Sequence, residues 1–306
     1  MTKYTIESIN FAARHDPEGF VRQSSKNYFN AVEKAAGYIL DSGKKIVMLA
    51  GPSSSGKTTT AGLISDFLAR KGKEAKIISL DDFYLESLDL YPLNSDGSYD
   101  FESIHSLDLP LISRCFEEII ENGETVLPVF DFTTHSRSEE TKHITLDDDT
   151  ILIVEGIHGL NPLITGGHQD EFVARLYVSV SSRVYDDENV VLSKRNMRFI
   201  RRLVRDSKFR ATPAADTFAI WSSVMAGEGK YIFPFRSNAD IKLDSFHPCE
   251  PGLIAQEALA LLDTVKGTEF EDEAKAFSDI LNCFETIDRS ALIEDSLLCE
   301  FLGKPD

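Results

Sequence analysis

The sequence predicts an α/β fold, a mostly parallel sheet with helices on both faces. Two observations carry that prediction. From residue 44 onward, apolar runs of strand length alternate with segments of helical periodicity. The first of those strands, Lys45-Ile46-Val47-Met48-Leu49-Ala50, runs straight into Gly51-Pro52-Ser53-Ser54-Ser55-Gly56-Lys57-Thr58. That run meets the phosphate-loop pattern G-x-x-x-x-G-K-[ST] at every fixed position. A helix with Leu63, Ile64, Phe67 and Leu68 on one face follows it, which is the strand–loop–helix context the pattern requires.

Taken in order, Phe20 to Leu40 has helical periodicity and Gly43 stops it, so residues 1–43 read as an N-terminal helical leader packed on the core. Strands are expected at 45–50, 75–80, 125–130, 151–154, 174–180 and 238–243, with helices near 58–71, 108–122, 191–206 and 252–265. Residues 44–265 therefore form a three-layer sandwich of the P-loop NTPase kind. Beyond it, the acidic run Glu269-Phe270-Glu271-Asp272-Glu273 leads into a helix over 272–287 and a shorter one over 293–302. Residues 266–306 thus read as a C-terminal helical appendage.

Asp and Glu total 50 against 32 Lys and Arg, a formal charge of -18. Such a surface repels nucleic acid and anionic membrane, and the longest apolar runs are strand-sized, so neither is an expected partner. The four cysteines, Cys115, Cys249, Cys283 and Cys299, lack metal-ligand spacing and read as reduced structural thiols. With charges throughout residues 1–20 and no apolar signal core, a cytoplasmic protein is expected. Assembly into a homo-oligomer is left open.

The phosphate loop implies a bound polyphosphate. Its glycines let successive N–H groups turn toward an anion, and the helix start adds its positive end. Gly51, Ser53, Ser54, Ser55, Gly56, Lys57, Thr58 and Thr59 are the expected ATP-binding residues; Lys57 reaches the outer phosphates and the Thr58 hydroxyl holds Mg²⁺. The second strand ends in Ser79-Leu80-Asp81-Asp82-Phe83-Tyr84. Ligands of parallel sheets sit beyond the carboxyl ends of strands, so Asp81 falls near the end of the triphosphate, where it can accept a proton or hold a metal through water. An aspartate in such a turn also caps helices, and residue type leaves both readings open. Ile151-Leu152-Ile153-Val154-Glu155 has Walker B form, an apolar strand closing on a carboxylate that orients Mg²⁺. Phe130 and Phe132 share one side of an extended segment, with His135 and Arg137 beyond them. The two rings sandwich a flat base or pack into the core; spacing does not decide between these. Finally Lys194, Arg195, Arg198, Arg201, Arg202, Arg205 and Lys208 crowd one segment, with Arg210 after it. On a helix, Arg198, Arg201, Arg202 and Arg205 line one face, as a lid closing over triphosphate requires.

In order and spacing these pieces resemble the phosphoribulokinase/uridine kinase family. The more specific marks are Asp81-Asp82-Phe83-Tyr84, Tyr99-Asp100-Phe101-Glu102, Leu107-Asp108, Phe130-Asp131-Phe132, His135-Ser136-Arg137, Glu155-Gly156-Ile157 and Arg201-Arg202-Leu203-Val204-Arg205-Asp206. The tail Glu294-Asp295-Ser296-Leu297-Leu298-Cys299-Glu300-Phe301-Leu302-Gly303 is similar to that of bacterial uridine-kinase homologues. The resemblance implies ATP- and Mg²⁺-dependent phosphorylation of a primary hydroxyl, the 5′-hydroxyl of a pyrimidine nucleoside. Asp81, Lys57 and Arg205 then act in catalysis. Thr58 and Glu155 attend the metal. Tyr84, Glu102, Phe130, Phe132, His135, Arg137, Arg202 and Arg210 face the acceptor. Two positions depart from uridine-cytidine kinases. Phe130 replaces a tyrosine that bonds the base, and Glu102 replaces an aspartate that holds the ribose hydroxyls. Other acceptors of the same fold, a phosphopentose or a pantothenate-like alcohol, and a non-catalytic nucleotide-binding regulator are the alternatives.

Overall fold

The computed structural model describes residues 3–94, 97–131, 134, 136–165 and 172–305. Phe132 and His135, both expected at the acceptor site, lie outside the described residues. The chain opens with strand β1 (Tyr4–Thr5) and helices α1 (Ile6–His15) and α2 (Pro17–Ser42). Strand β2 (Ile46–Ala50), α3 (Lys57–Arg70) and β3 (Glu74–Ser79) follow, then a 3₁₀ turn at Leu80–Phe83. Next come α4 (Leu109–Asn122), β4 (Glu124–Asp131), β5 (Ser136–Thr145), β6 (Thr150–Glu155), α5 (Pro162–Thr165) and β7 (Val173–Ser179). The remainder is β8 (Val184–Asp186), β9 (Asn189–Leu192), α6 (Lys194–Arg210), α7 (Ala214–Tyr231), β10 (Ile241–Asp244), α8 (Glu250–Asp263), α9 (Glu271–Leu281) and α10 (Cys299–Leu302).

Five strands form the central sheet in the order β10-β7-β2-β6-β3, every pair parallel. The first long strand lies in the middle, so the chain winds outward to both sides and opens a crevice at the strands' carboxyl ends. Strand β2 is buried at every residue, as a strand covered on both faces must be. Its side chains alternate. Val47 and Leu49 pack with α2, α3, α6 and α8 in the larger core, while Ile46 and Met48 join Ile112, Phe116 and Leu127 in the smaller one. The sheet thus lies between two helical layers, as expected for an α/β sandwich.

Local chemistry sets the helix limits. Asp16 caps α2 by accepting from the Gly19 N–H at 2.9 Å, Pro17 opens it, and Gly43 ends it in the left-handed region at φ 66°. Asp108 caps α4 through the Leu111 N–H at 3.0 Å. Several expectations are corrected. The strand at 125–130 does not join the central sheet; as β4 it pairs antiparallel with β5 in a separate ribbon, with an irregularity between Pro128 and Phe130. Proline has no N–H for a ladder, which suits that edge position. The leader carries a second helix, α1, closed by a Thr5/Ser8 capping box. Helix α7 was not anticipated. The predicted helix over 272–287 ends at Leu281, and the one over 293–302 shrinks to α10. Val21 and Ile39 of the leader, with Phe277, Leu281 and Phe301 of the tail, pack in the same apolar core as β2.

Candidate active site

The carboxyl ends of β2, β3 and β6 meet at one edge of the sheet. Leu49 and Ser79 both sit opposite Glu155 in register. Between β2 and α3 the chain turns through Gly51 and Gly56. A Cβ on Gly51 would run into the Val178 carbonyl of the neighbouring strand, and Gly56 stands at φ +90°, so neither position accepts a side chain without strain. Ser54 also adopts a positive φ of 56°. The Ser54 and Ser55 hydroxyls are buried with no hydrogen-bond partner among the described residues, which leaves them free to bond an anion. Lys57, the first residue of α3, donates to the Pro52 carbonyl at 3.4 Å.

Three carboxylates share the electrostatic field of Lys57. Asp81 lies in the turn after β3, its N–H bonded to Ser79 Oγ at 3.2 Å. Burial raises its carboxyl above the ordinary range; Lys57 and Arg210 oppose the shift, and neighbouring Asp82 adds to it. Glu155 accepts from Thr58 Oγ1 and from Ser79 Oγ, both at 3.4 Å. Burial raises it too, with Lys57 pulling the other way. Glu102 is pushed up to about 7, first by burial and then by Glu228, against the pull of Arg202 and Lys57. Lys57, Thr58, Asp81, Glu102 and Glu155 are therefore brought together. Among the described residues no group of three or more His, Cys, Asp or Glu has the arrangement of a metal site. The donor set fits Mg²⁺, which takes one or two carboxylates and completes its shell with water and phosphate oxygens. Thr58 and Glu155 are the residues placed to contribute.

On the acceptor side, the Tyr84 hydroxyl donates to the Phe101 carbonyl at 2.9 Å, and its ring lies 5.4 Å from that of buried Phe130. Arg137 donates through Nη2 to Asp108 at 2.9 Å and to the Tyr84 carbonyl at 3.2 Å. Asp108 thus caps α4 and holds Arg137 together. Tyr84, Phe130 and Arg137 form one cluster joined to Asp81 through the same turn.

The basic helix α6 differs from the expected lid. Arg198 and Arg201 are buried and do not face solvent. Arg201 is fully enclosed. It pairs with Glu250 at 2.5 Å and donates to the Ser54 carbonyl at 3.3 Å. Arg198 pairs with buried Glu228 and donates to the Ser53 carbonyl at 2.9 Å. These two arginines grip the backbone of the phosphate loop from behind. Arg202 meets the loop through a side chain, donating to Ser53 Oγ at 2.9 Å. Buried Asp206 holds Arg202 at 3.2 Å, Arg205 at 2.7 Å and Arg210 at 3.6 Å. Arg210 is more than half exposed and still senses Asp81.

Two residues at the loop were missed. Glu228 of α7 accepts from the Ser53 N–H at 2.9 Å. Glu300 of α10 accepts from the Thr59 N–H at 3.2 Å and the Thr59 hydroxyl at 2.7 Å. Local spacing gives no sign of the first. The second lies in the quoted tail motif, whose resemblance was a signal in hand.

Among relatives, a uridine kinase from Lactobacillus johnsonii is 30% identical over 197 residues, spanning 64% of this chain and 84% of that protein. A uridine kinase from Borrelia duttonii is 27% identical over 242 residues, spanning 76% and 99%. Among solved structures, D-glycerate 3-kinase from Cryptococcus neoformans superposes with a TM-score of 0.47 at 17% identity, covering 64% of this chain and 87% of that one. The model of the phosphoribulokinase / uridine kinase family matches residues 46–249, from the start of β2 to the threshold of α8. That span holds the phosphate loop, the three carboxylates and the arginine helix, and with it the chain belongs to the phosphoribulokinase/uridine kinase family and is a kinase.

Proposed function

We propose that the protein transfers the terminal phosphoryl group of ATP to the 5′-hydroxyl of a pyrimidine nucleoside. The observation that carries this reading is the field of Lys57 acting on both Asp81 and Glu155 at the carboxyl edge of adjacent strands. It sets the loop lysine beside Asp81, which has no ion pair among the described residues. In the reaction the acceptor oxygen forms a bond to the terminal phosphorus, the bond from that phosphorus to the bridging oxygen breaks, and ADP leaves. Asp81 takes the acceptor's proton. A carboxyl raised toward neutrality is a better base for an alcohol than one at its ordinary value. Lys57, with the loop N–H groups, compensates charge on the phosphates, and Arg205 and Arg202 add positive charge from α6. Thr58 and Glu155 would hold Mg²⁺, which when bound neutralises charge on the phosphate oxygens.

Tyr84, Phe130, Arg137, Glu102 and Arg210 would receive the nucleoside, and Phe132 and His135, outside the described residues, are proposed for the same role. The uridine kinase names of the relatives support a nucleoside, and a cytoplasmic enzyme is the matching location. Phe130 offers the base a ring face and no hydroxyl, so stacking replaces a hydrogen bond there. The test is nucleoside-dependent ADP release by the purified chain with ATP and Mg²⁺, with product mass as confirmation. Uridine and cytidine should turn over. A panel in which only a phosphopentose or a pantothenate-like alcohol reacts would reassign the acceptor, and silence across every alcohol would end the kinase reading. Asp81→Asn should lower kcat by about 10²–10⁴-fold while ATP still binds, the usual span for losing a general base. Near-normal turnover would remove Asp81 from that role.

A further inference from the structure

The tail after α9 returns to the phosphate loop, outside the span shared with the family. Leu297 is fully buried against Gly56, where a Cβ would come within 2.5 Å of its methyl. Ser296 Oγ lies 3.2 Å from Ser25 Oγ of α2 in a buried contact. The ring of Phe301, also fully buried, lies 4.7 Å from the Arg201 guanidinium, and Arg201 in turn holds the Ser54 carbonyl. These contacts fix the segment's position. Glu300 projects from it onto Thr59, accepting both its N–H and its hydroxyl on the single oxygen Oε2. It is also near enough to influence Glu155 and Arg210, so its charge faces the same cleft.

The Thr59 N–H belongs to the first turn of α3, whose donors have no partner within the helix. At a phosphate loop those donors are the ones that meet phosphoryl oxygens. A carboxylate oxygen held by one N–H and one hydroxyl is bonded as a phosphoryl oxygen would be. We propose that Glu300 stands in for a phosphoryl oxygen of the donor nucleotide, and that the nucleotide must displace this side chain from Thr59 to bind. The inference rests on the reading of the loop as a donor site. Leu297 and Phe301 keep the segment docked, so what moves is the one carboxylate. A tail residue thereby sets how tightly the donor is held.

Equilibrium binding of ATP and of inorganic tripolyphosphate to the full chain tests this, with wild type, Glu300→Ala and Glu300→Gln compared. The alanine variant should bind both ligands about tenfold or more tightly, as losing one charge-assisted competitor implies. The glutamine variant keeps an acceptor without the charge and should fall between. Unchanged or weaker binding by a variant that melts like wild type overturns the proposal. So does a gain for ATP without one for tripolyphosphate, since the competition is for phosphate. Wild type that binds ATP through Lys57, with no gain in either variant, sinks the displacement alone. Absence of binding in all three chains, matched by Lys57→Ala, sinks the donor-site reading with it.

Discussion

Glu102 shows how the surroundings of one side chain set a pH response. Its carboxyl is pushed up to about 7 by burial and by Glu228, so the folded chain prefers it protonated. A raised acid favours the folded state below its ordinary value, and that contribution is lost as pH rises through about 7. From 4.5 to about 7 the loss reaches on the order of 3 kcal/mol at most. Glu102→Gln, which is neutral at every pH, should melt above wild type at pH 8 and alongside it at pH 4. Melting curves that coincide at both values would show that Glu102 bears no such penalty. Residue by residue, the positions of Lys57, Thr58, Asp81 and Glu155 at strand and helix ends were legible because each stands in a recognisable string. Arg198 and Arg201 were misplaced because their partners, Glu228 and Glu250, lie 30 and 49 residues further on, beyond any local pattern.

Among elements, α4 is the one whose start is tied to the site. Asp108 both caps it and holds Arg137. Asparagine caps as well as aspartate but carries no charge. Asp108→Asn should therefore leave stability within about 0.5 kcal/mol by denaturant unfolding, apart from the ion pair itself, which is partly screened. If Arg137 serves the acceptor, the same variant should raise the acceptor KM several-fold with the ATP KM unchanged. A rise in both would place Arg137 elsewhere. Element limits were legible at Gly43, read as the end of the leader helix, and near Asp108 and Gly123, where a helix was expected over 108–122; the cap at Asp16 was passed over for a start at Phe20. The assignment of 125–130 to the main sheet failed because an alternating strand looks alike in a ribbon and in a sheet; only its antiparallel partner distinguishes them. Helix α7 escaped notice although Thr217, Phe218, Trp221, Val224 and Glu228 recur at helical spacing, since its glycines and serines dilute the apolar stripe.

For the molecule as a whole, the shared core couples the ends of the chain to its middle. Val21, Ile39, Leu49, Phe277 and Phe301 belong to one cluster. Calorimetry should accordingly record one transition, with calorimetric and van't Hoff enthalpies equal. Two resolved transitions would show that leader or tail folds apart from the sheet. Removing residues 289–306 should lower the melting temperature sharply, because Leu297, Leu298, Phe301 and Leu302 leave a void against α6. Charge and length foretold a large acidic protein and the alternation of strands and helices its α/β class, yet nothing in the tail's composition told that it would touch the phosphate loop. The grip of α6 on that loop reaches further than stability. A trans peptide unit is flat, with its oxygen and its hydrogen on opposite edges. Anchoring the oxygens of Ser53 and Ser54 to two enclosed guanidiniums therefore aims the amide hydrogens of Ser54 and Ser55 the other way. Side chains some 145 positions downstream thus orient the dipoles of the proposed phosphate cradle.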